Sequence, residues 1–246
     1  MSTTPSPAKT GAERGGGAGP LNGAVTWLVA VFLVLGGGSI ALLGAILSQV
    51  ASGSWVAEMV AAGRLTSTEL TPAELTSVTN ALLWWGGLGL TVVGLALAVA
   101  GVAFLVYRLR TGATEGPDTA TSAVVGAVVT VLTSFVPLSP VLGGAAAGYL
   151  RKADRSTGAR VGAFAGLLAA VPVVVLFAFL VGGFAVVASE LALGAVTGIV
   201  ALALVFALFV AVLYTVGLSA LGGYLGAGLT NSVADADDEY GREPVA

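Results

Sequence analysis

The chain has 246 residues, 57% apolar and only 9% charged, with a mean hydropathy of +0.98; soluble domains carry roughly a quarter charged residues, so a soluble globule is excluded. Net charge is −3 with no His and no Cys, which leaves no basic footprint for nucleic acid, no thiolate or disulfide, and neither the commonest metal ligand nor the commonest general base. No catalytic residue, no metal and no cofactor are therefore expected, and the expectation is a protein that is not an enzyme.

Residues 1–23, rich in Ser, Pro, Thr and Gly, lack apolar periodicity and read as a disordered tail. The first membrane segment runs from Ala24 to Val50, longer than the 7–15 residues of a signal-peptide core, so it reads as an anchor. A polar loop follows over 51–80. In it Ser54 is placed to cap a short interfacial helix with the apolar stripe Trp55, Val56, Met59 and Val60, and Gly63 to stop it. Thr71-Pro72-Ala73-Glu74 is a capping box with Pro at the first helical position. It predicts the start of a second membrane helix, which runs through Trp84-Trp85 to Tyr107, aromatics at both interfaces. Residues 24–107 thus form a two-span unit.

The 30 uncharged residues from Thr121 to Leu150 are interrupted by Pro137 and Pro140. They read either as one kinked span, which length favours, or as a hairpin: a leg Thr121–Val136, a turn at Pro137-Leu138-Ser139-Pro140, and a shorter leg of about 11 residues to Leu150. The second leg would reach only about 17 Å. Charge favours the hairpin. With the N-terminus cytoplasmic, it places eight Lys/Arg on one side and Arg64 alone on the other, whereas a single span gives four against five. Arg151, Lys152, Arg155 and Arg160 are the topology-determining cluster. They could also meet anionic headgroups.

Val161–Val187 is long enough to cross, with a kink expected at Pro172. Ala188-Ser189-Glu190 offers a polar break for a tight helical hairpin. Leu191–Leu229 then runs 39 residues without a charge, about 58 Å as continuous helix, so a break near Tyr214–Gly217 is expected. Residues 230–246, with five acidic side chains and Arg242, read as a disordered acidic tail.

Small residues recur at four-residue spacing: Gly158/Gly162/Gly166, Gly144/Gly148, Gly194/Gly198 and Gly222/Gly226. Close backbone approach through glycine is how lipid-embedded helices pack. The same seams could join two copies in a homo-oligomer. Leu142-Gly143-Gly144 through Leu150 is echoed by Leu221-Gly222-Gly223 through Leu229, and interrupted paired helices build transporter sites at the membrane midplane. Against ion coupling, no ionisable residue lies within a span. The hydroxyls there (Ser39, Thr91, Thr130, Thr133, Ser134, Thr197, Thr215, Ser219) read as structural. Thr133 and Ser134 are placed to satisfy the carbonyl freed by Pro137.

The run from Pro137 and Pro140 through Gly143-Gly144 and Gly148-Tyr149-Leu150, the charged loop Arg151–Arg155, and Gly158-x-Arg160-Val161-Gly162 to Gly166 resemble an uncharacterised family of small membrane proteins from halophilic archaea. The resemblance covers about Thr121–Leu229. It implies a compact helical membrane domain of unknown function and carries over no catalytic residue. Eight Arg against two Lys and the acidic tail agree with a salt-loving source.

The expected architecture is all-α: a polytopic membrane protein with four full spans plus a Pro-hinged hairpin of short helices. The lipid bilayer is its partner, its location is the cell membrane, and its role is structural or accessory. The alternative is a small permease or channel using Pro137, Pro140, Gly143, Gly144 and Gly148.

Overall fold

Lipid supplies no hydrogen-bond partner to a peptide group, so a chain this apolar must pair its backbone within each segment, and helices result. A computed structural model describes residues 20–111, 119–151, 154–191 and 194–240, and among these it has seven helices and no strand. They are α1 (Pro20–Ala51), α2 (Trp55–Ala61), α3 (Pro72–Thr111), α4 (Thr119–Leu132), α5 (Ser139–Arg151), α6 (Arg155–Glu190) and α7 (Gly194–Tyr240). Four of them, α1, α3, α6 and α7, are long and apolar enough to cross a membrane. Between them α4 and α5 form a hairpin of short legs, so the described residues hold four long apolar helices and one short-legged pair.

Local chemistry sets several boundaries. In α3 the Thr71 amide and hydroxyl both donate to the Glu74 carboxylate, at 2.8 and 2.7 Å, and the Glu74 amide returns to Thr71 Oγ1 at 3.3 Å. Gly63 stops α2 at φ +65°: its amide reaches Val60 O and the Arg64 amide reaches Met59 O, both at 3.0 Å, a Schellman closure. Ser54 precedes α2 as expected but does not cap it through its side chain. Its hydroxyl instead donates to Glu58 at 2.5 Å, because its own backbone is already helical (φ −80°, ψ −9°).

Glycine contacts fix the directions. Gly37 of α1 lies on Gly94 of α3, and Gly44 lies on Gly87 and Thr91, so these helices are antiparallel. α3 runs antiparallel to α6, with Trp85 on Gly183 and Gly89 on Phe179. The Trp85 and Phe179 rings are tilted by 47° at 6.3 Å, and Ser77 Oγ donates to Glu190 at 2.8 Å. α4 and α5 are antiparallel through Gly126, Gly143 and Ala147. α7 runs parallel to α5 and antiparallel to α6. With these directions, Arg108 and Arg110 (end of α3), Arg151 (end of α5), and Arg155 and Arg160 (start of α6) share one end of the bundle. Arg64 lies at the other end. Lys152 falls outside the described residues.

Several sequence-based boundaries need correction. α4 ends at Leu132, not Val136: Pro137 disfavours helical geometry at its predecessor, and the chain tightens first, with Ser134 N to Val131 O at 3.2 Å and Val136 N to Thr133 O at 2.8 Å. α6 continues through Ala188-Ser189-Glu190 and is capped at Leu191, since Ser189 returns its hydroxyl to Val186 O and does not interrupt the helix. No break occurs at Tyr214–Gly217. α7 is one helix of 47 residues, about 70 Å long, because its length from Thr215 to Ala227 lies against α5 and α6. Finally, the acidic tail is helical to Tyr240: extending an existing helix needs no new nucleus. At the other terminus α1 already begins at Pro20, within the expected N-terminal tail.

Candidate functional site

The hairpin enters from the arginine end and stops inside the bundle. Fourteen residues of α4 rise about 21 Å, which brings the turn Thr133–Leu138 level with the middle of α6. At the tip a cavity of about 390 Å³ is lined by Thr130, Ser134, Ser139 and Pro140 together with Val173 of α6 and Thr215 of α7. Pro137 stands in the turn and Pro140 is the second residue of α5, where its missing amide costs no helical bond. The amides that open α5 are used locally: Ser139 N reaches Val136 O, and Val141 N and Leu142 N both reach Leu138 O, at 2.9, 3.0 and 3.3 Å.

The hydroxyls around this cavity serve mainly their own helices. Thr130 donates to Gly126 O at 3.0 Å, Thr133 to Val129 O at 2.7 Å and Thr215 to Ala211 O at 2.8 Å. The carbonyl that Pro137 would leave free, that of Thr133, is met by the Val136 amide; the expected rescue by the Thr133 or Ser134 side chain is not what occurs. Ser139 is 8% exposed. With hydroxyls and no titratable group, this cavity can hold an uncharged guest but has nothing to move a proton.

Below the tip the glycine leg is closed. Gly143 lies on Thr130 and Gly126, Gly144 on the Ser219 backbone, and Gly148 on the Gly223 backbone. From the other side Gly222 lies on Val141, and Gly226 on Ala145. The two echoing sequence segments, 142–150 and 221–229, are therefore parallel packing partners. Gly158, Gly162 and Gly166 complete the seam against Ala227, Gly223, Ser219 and Thr215. Gly194 opens α7, and a side chain at Gly198 would meet open space, so Gly198 belongs to no seam.

Two features escaped the sequence reading. One is a second seam, Ala30/Gly37/Gly44 of α1 against Gly87/Gly94/Gly101 of α3, whose residues are spaced by seven and not four. Its signal was present as a heptad of small residues. The other is an interhelical bond: Ser219 Oγ donates to Gly162 O at 2.7 Å, fully buried. Between the α1/α3 pair and the α4/α6 face lies a further apolar cavity of about 420 Å³, lined by Phe32, Leu97, Phe104, Val128 and Pro172 among others.

At the arginine end, Asp154 caps α6 from an extended backbone (φ −61°, ψ 160°). Its carboxylate accepts from the Ser156 hydroxyl, from Thr157 Oγ1 at 2.6 Å, and from the amides of Ser156 and Thr157 at 3.1 and 3.2 Å. These bonds, those to the Ser156 and Thr157 side chains foremost, hold the Asp154 carboxyl well below the usual range. Arg155 stacks over the Tyr224 ring at 5.4 Å.

Over residues 120–229 the chain matches a family described as a family of unknown function (DUF5518). The match spans α4 to the packed part of α7, nearly the same residues as the sequence resemblance to an uncharacterised family. No curated protein and no solved structure matches the chain.

Proposed function

We propose that this is a non-enzymatic integral membrane protein with a structural or accessory role, multi-pass in the cell membrane, its N-terminus and five clustered arginines facing the cytoplasm. The observation that carries the reading is the closed leg Gly143–Gly148, whose glycines meet the backbones of Ser219 and Gly223 and leave no room for a solute. The absence of charged residues from 24–50, 81–107, 161–187 and 198–229 agrees with it. The lipid bilayer is the immediate partner. The glycine contacts lie within one chain, so a homo-oligomer would pair through other faces.

One observation favours a second reading, a small permease or channel: the cavity at the hairpin tip with Ser134, Ser139 and Thr215 on its wall. Solute release from liposomes separates the two. Vesicles holding the purified protein are expected to leak small ions, water and glycerol no faster than protein-free vesicles. Protein-dependent flux that Ser139→Leu abolishes would overturn the structural reading in favour of transport.

A further inference from the structure

The two arginines that end α3 face different surroundings. Arg108 is half-buried and borders a cavity of about 40 Å³ with Thr26, Thr121 and Leu150, between α1 and α4. Arg110 lies two residues on, so it points roughly 200° around the helix. It is exposed, at the end of a surface groove of about 630 Å³ lined by Val34 of α1 and by Ala98, Val102, Val106 and Tyr107 of α3. The groove follows one stripe of α3 from Ala98 to Arg110, about 18 Å, or the depth from the bilayer midplane to just past the hydrocarbon boundary. Its apolar length thus ends in a guanidinium beside a phenol at the level of the headgroups.

We propose that this groove binds one anionic phospholipid, its acyl chain along Ala98, Val102 and Val106 and its phosphate on Arg110. Charge complementarity selects the occupant. A guanidinium matches a phosphate with two parallel hydrogen bonds, and a headgroup without a cation of its own leaves that charge unopposed. A zwitterionic lipid fills the same apolar length but brings an ammonium to the arginine. Tyr107 sits where amphipathic rings favour the interface. Arg108 faces protein and contributes little to lipid choice.

Native mass spectrometry of the full-length protein in detergent tests this with phosphatidylglycerol and phosphatidylcholine of identical chains. Wild type is expected to retain phosphatidylglycerol preferentially. Arg110→Gln should weaken that retention about five-fold, as loss of one interfacial cation implies, and Arg108→Gln should leave it unchanged. Val102→Trp, at a position 51% exposed where bulk does not disturb packing, should reduce both lipids by filling the groove. Equal retention by Arg110→Gln and wild type would overturn the proposal. So would equal losses in the two arginine variants, which would mean a diffuse surface charge. Displacement of the lipid by millimolar inorganic phosphate would identify an ion site and overturn the lipid assignment.

Discussion

Ser219 of α7 donates its hydroxyl to the carbonyl of Gly162 on α6 at 2.7 Å, with no exposed surface on the serine. The bond is possible because Gly162 carries no side chain and the two backbones meet there. An interhelical hydrogen bond in a membrane protein contributes about 0.6 kcal/mol on average and up to about 1.7. Ser219→Ala should therefore lower stability by that order, read as the midpoint of unfolding in mixed micelles. Ser122 is the contrast: it is equally buried, and its hydroxyl has no partner among the described residues. Removing an unsatisfied buried polar group relieves its desolvation cost, so Ser122→Ala should match or exceed wild type. Equal losses for both variants would contradict the assignment.

The α1/α3 seam makes a steeper prediction. A side chain added at Gly94 would sit against the Gly37 carbonyl and the Ala41 backbone, and one at Gly87 would sit 2.6 Å from the Gly44 carbonyl. At Gly38, in the same membrane segment, it would meet nothing within 4 Å. Overpacking typically costs about 1–3 kcal/mol. Gly94→Val should reach at least the upper part of that range, while Gly38→Ala should be neutral or slightly stabilising through helix propensity. Thermal unfolding in detergent of the two variants beside wild type checks this.

The contrast between the two seams explains what could be read from the sequence. Gly158, Gly162 and Gly166 recur every four residues, the spacing that attracts notice, and they lie against Ala227, Gly223, Ser219 and Thr215 of α7. Gly87, Gly94 and Gly101 recur every seven, the repeat of a left-handed pair, and in a chain with 36 glycines a sparse heptad is hidden by the others. The hairpin was legible from charge and not from hydropathy, because its legs are individually too short to decide by length. The extent of α7 was not legible. Tyr214 marks where an ordinary span ends, but helix continuation there depends on Gly222, Gly223 and Gly226 meeting α5 and α6, a tertiary fact that local sequence does not contain. The tip cavity likewise exists only because the hairpin stops level with Val173.

The alternating helix directions place residues 52–71 at one end and the start of α6 at the other. Since the chain has no native cysteine, Thr68→Cys and Ser156→Cys can be labelled one at a time in intact cells with an impermeant thiol reagent. Both positions are exposed. The cytoplasmic orientation proposed for the arginine cluster predicts labelling at Thr68→Cys, and labelling at Ser156→Cys only after the membrane is opened. The reverse pattern would invert the protein in the membrane, and labelling of both in sealed cells would contradict the re-entrant hairpin.

Asp154 gives a pH-dependent prediction whose sign follows from its bonds. The carboxylate is the acceptor for two side chains and two amides at the start of α6, so folding favours its charged form and lowers its pKa from the ordinary value of 3.8. A group with a depressed folded pKa contributes stability that is fully present above its unfolded value and is lost as pH falls through the folded one. The negative charge also faces the positive end of the α6 dipole. Asp154→Asn keeps an oxygen acceptor but carries no charge to titrate. Wild type should therefore exceed Asp154→Asn in melting temperature from neutral pH down to about pH 4, with the difference shrinking on further acidification as the wild-type carboxylate takes up its proton. Other carboxylates are common to both proteins and cancel in that difference. A gap that stays constant down to strong acid would show that the charge of Asp154 adds nothing to the cap, and a gap that widens would reverse the sign of the argument.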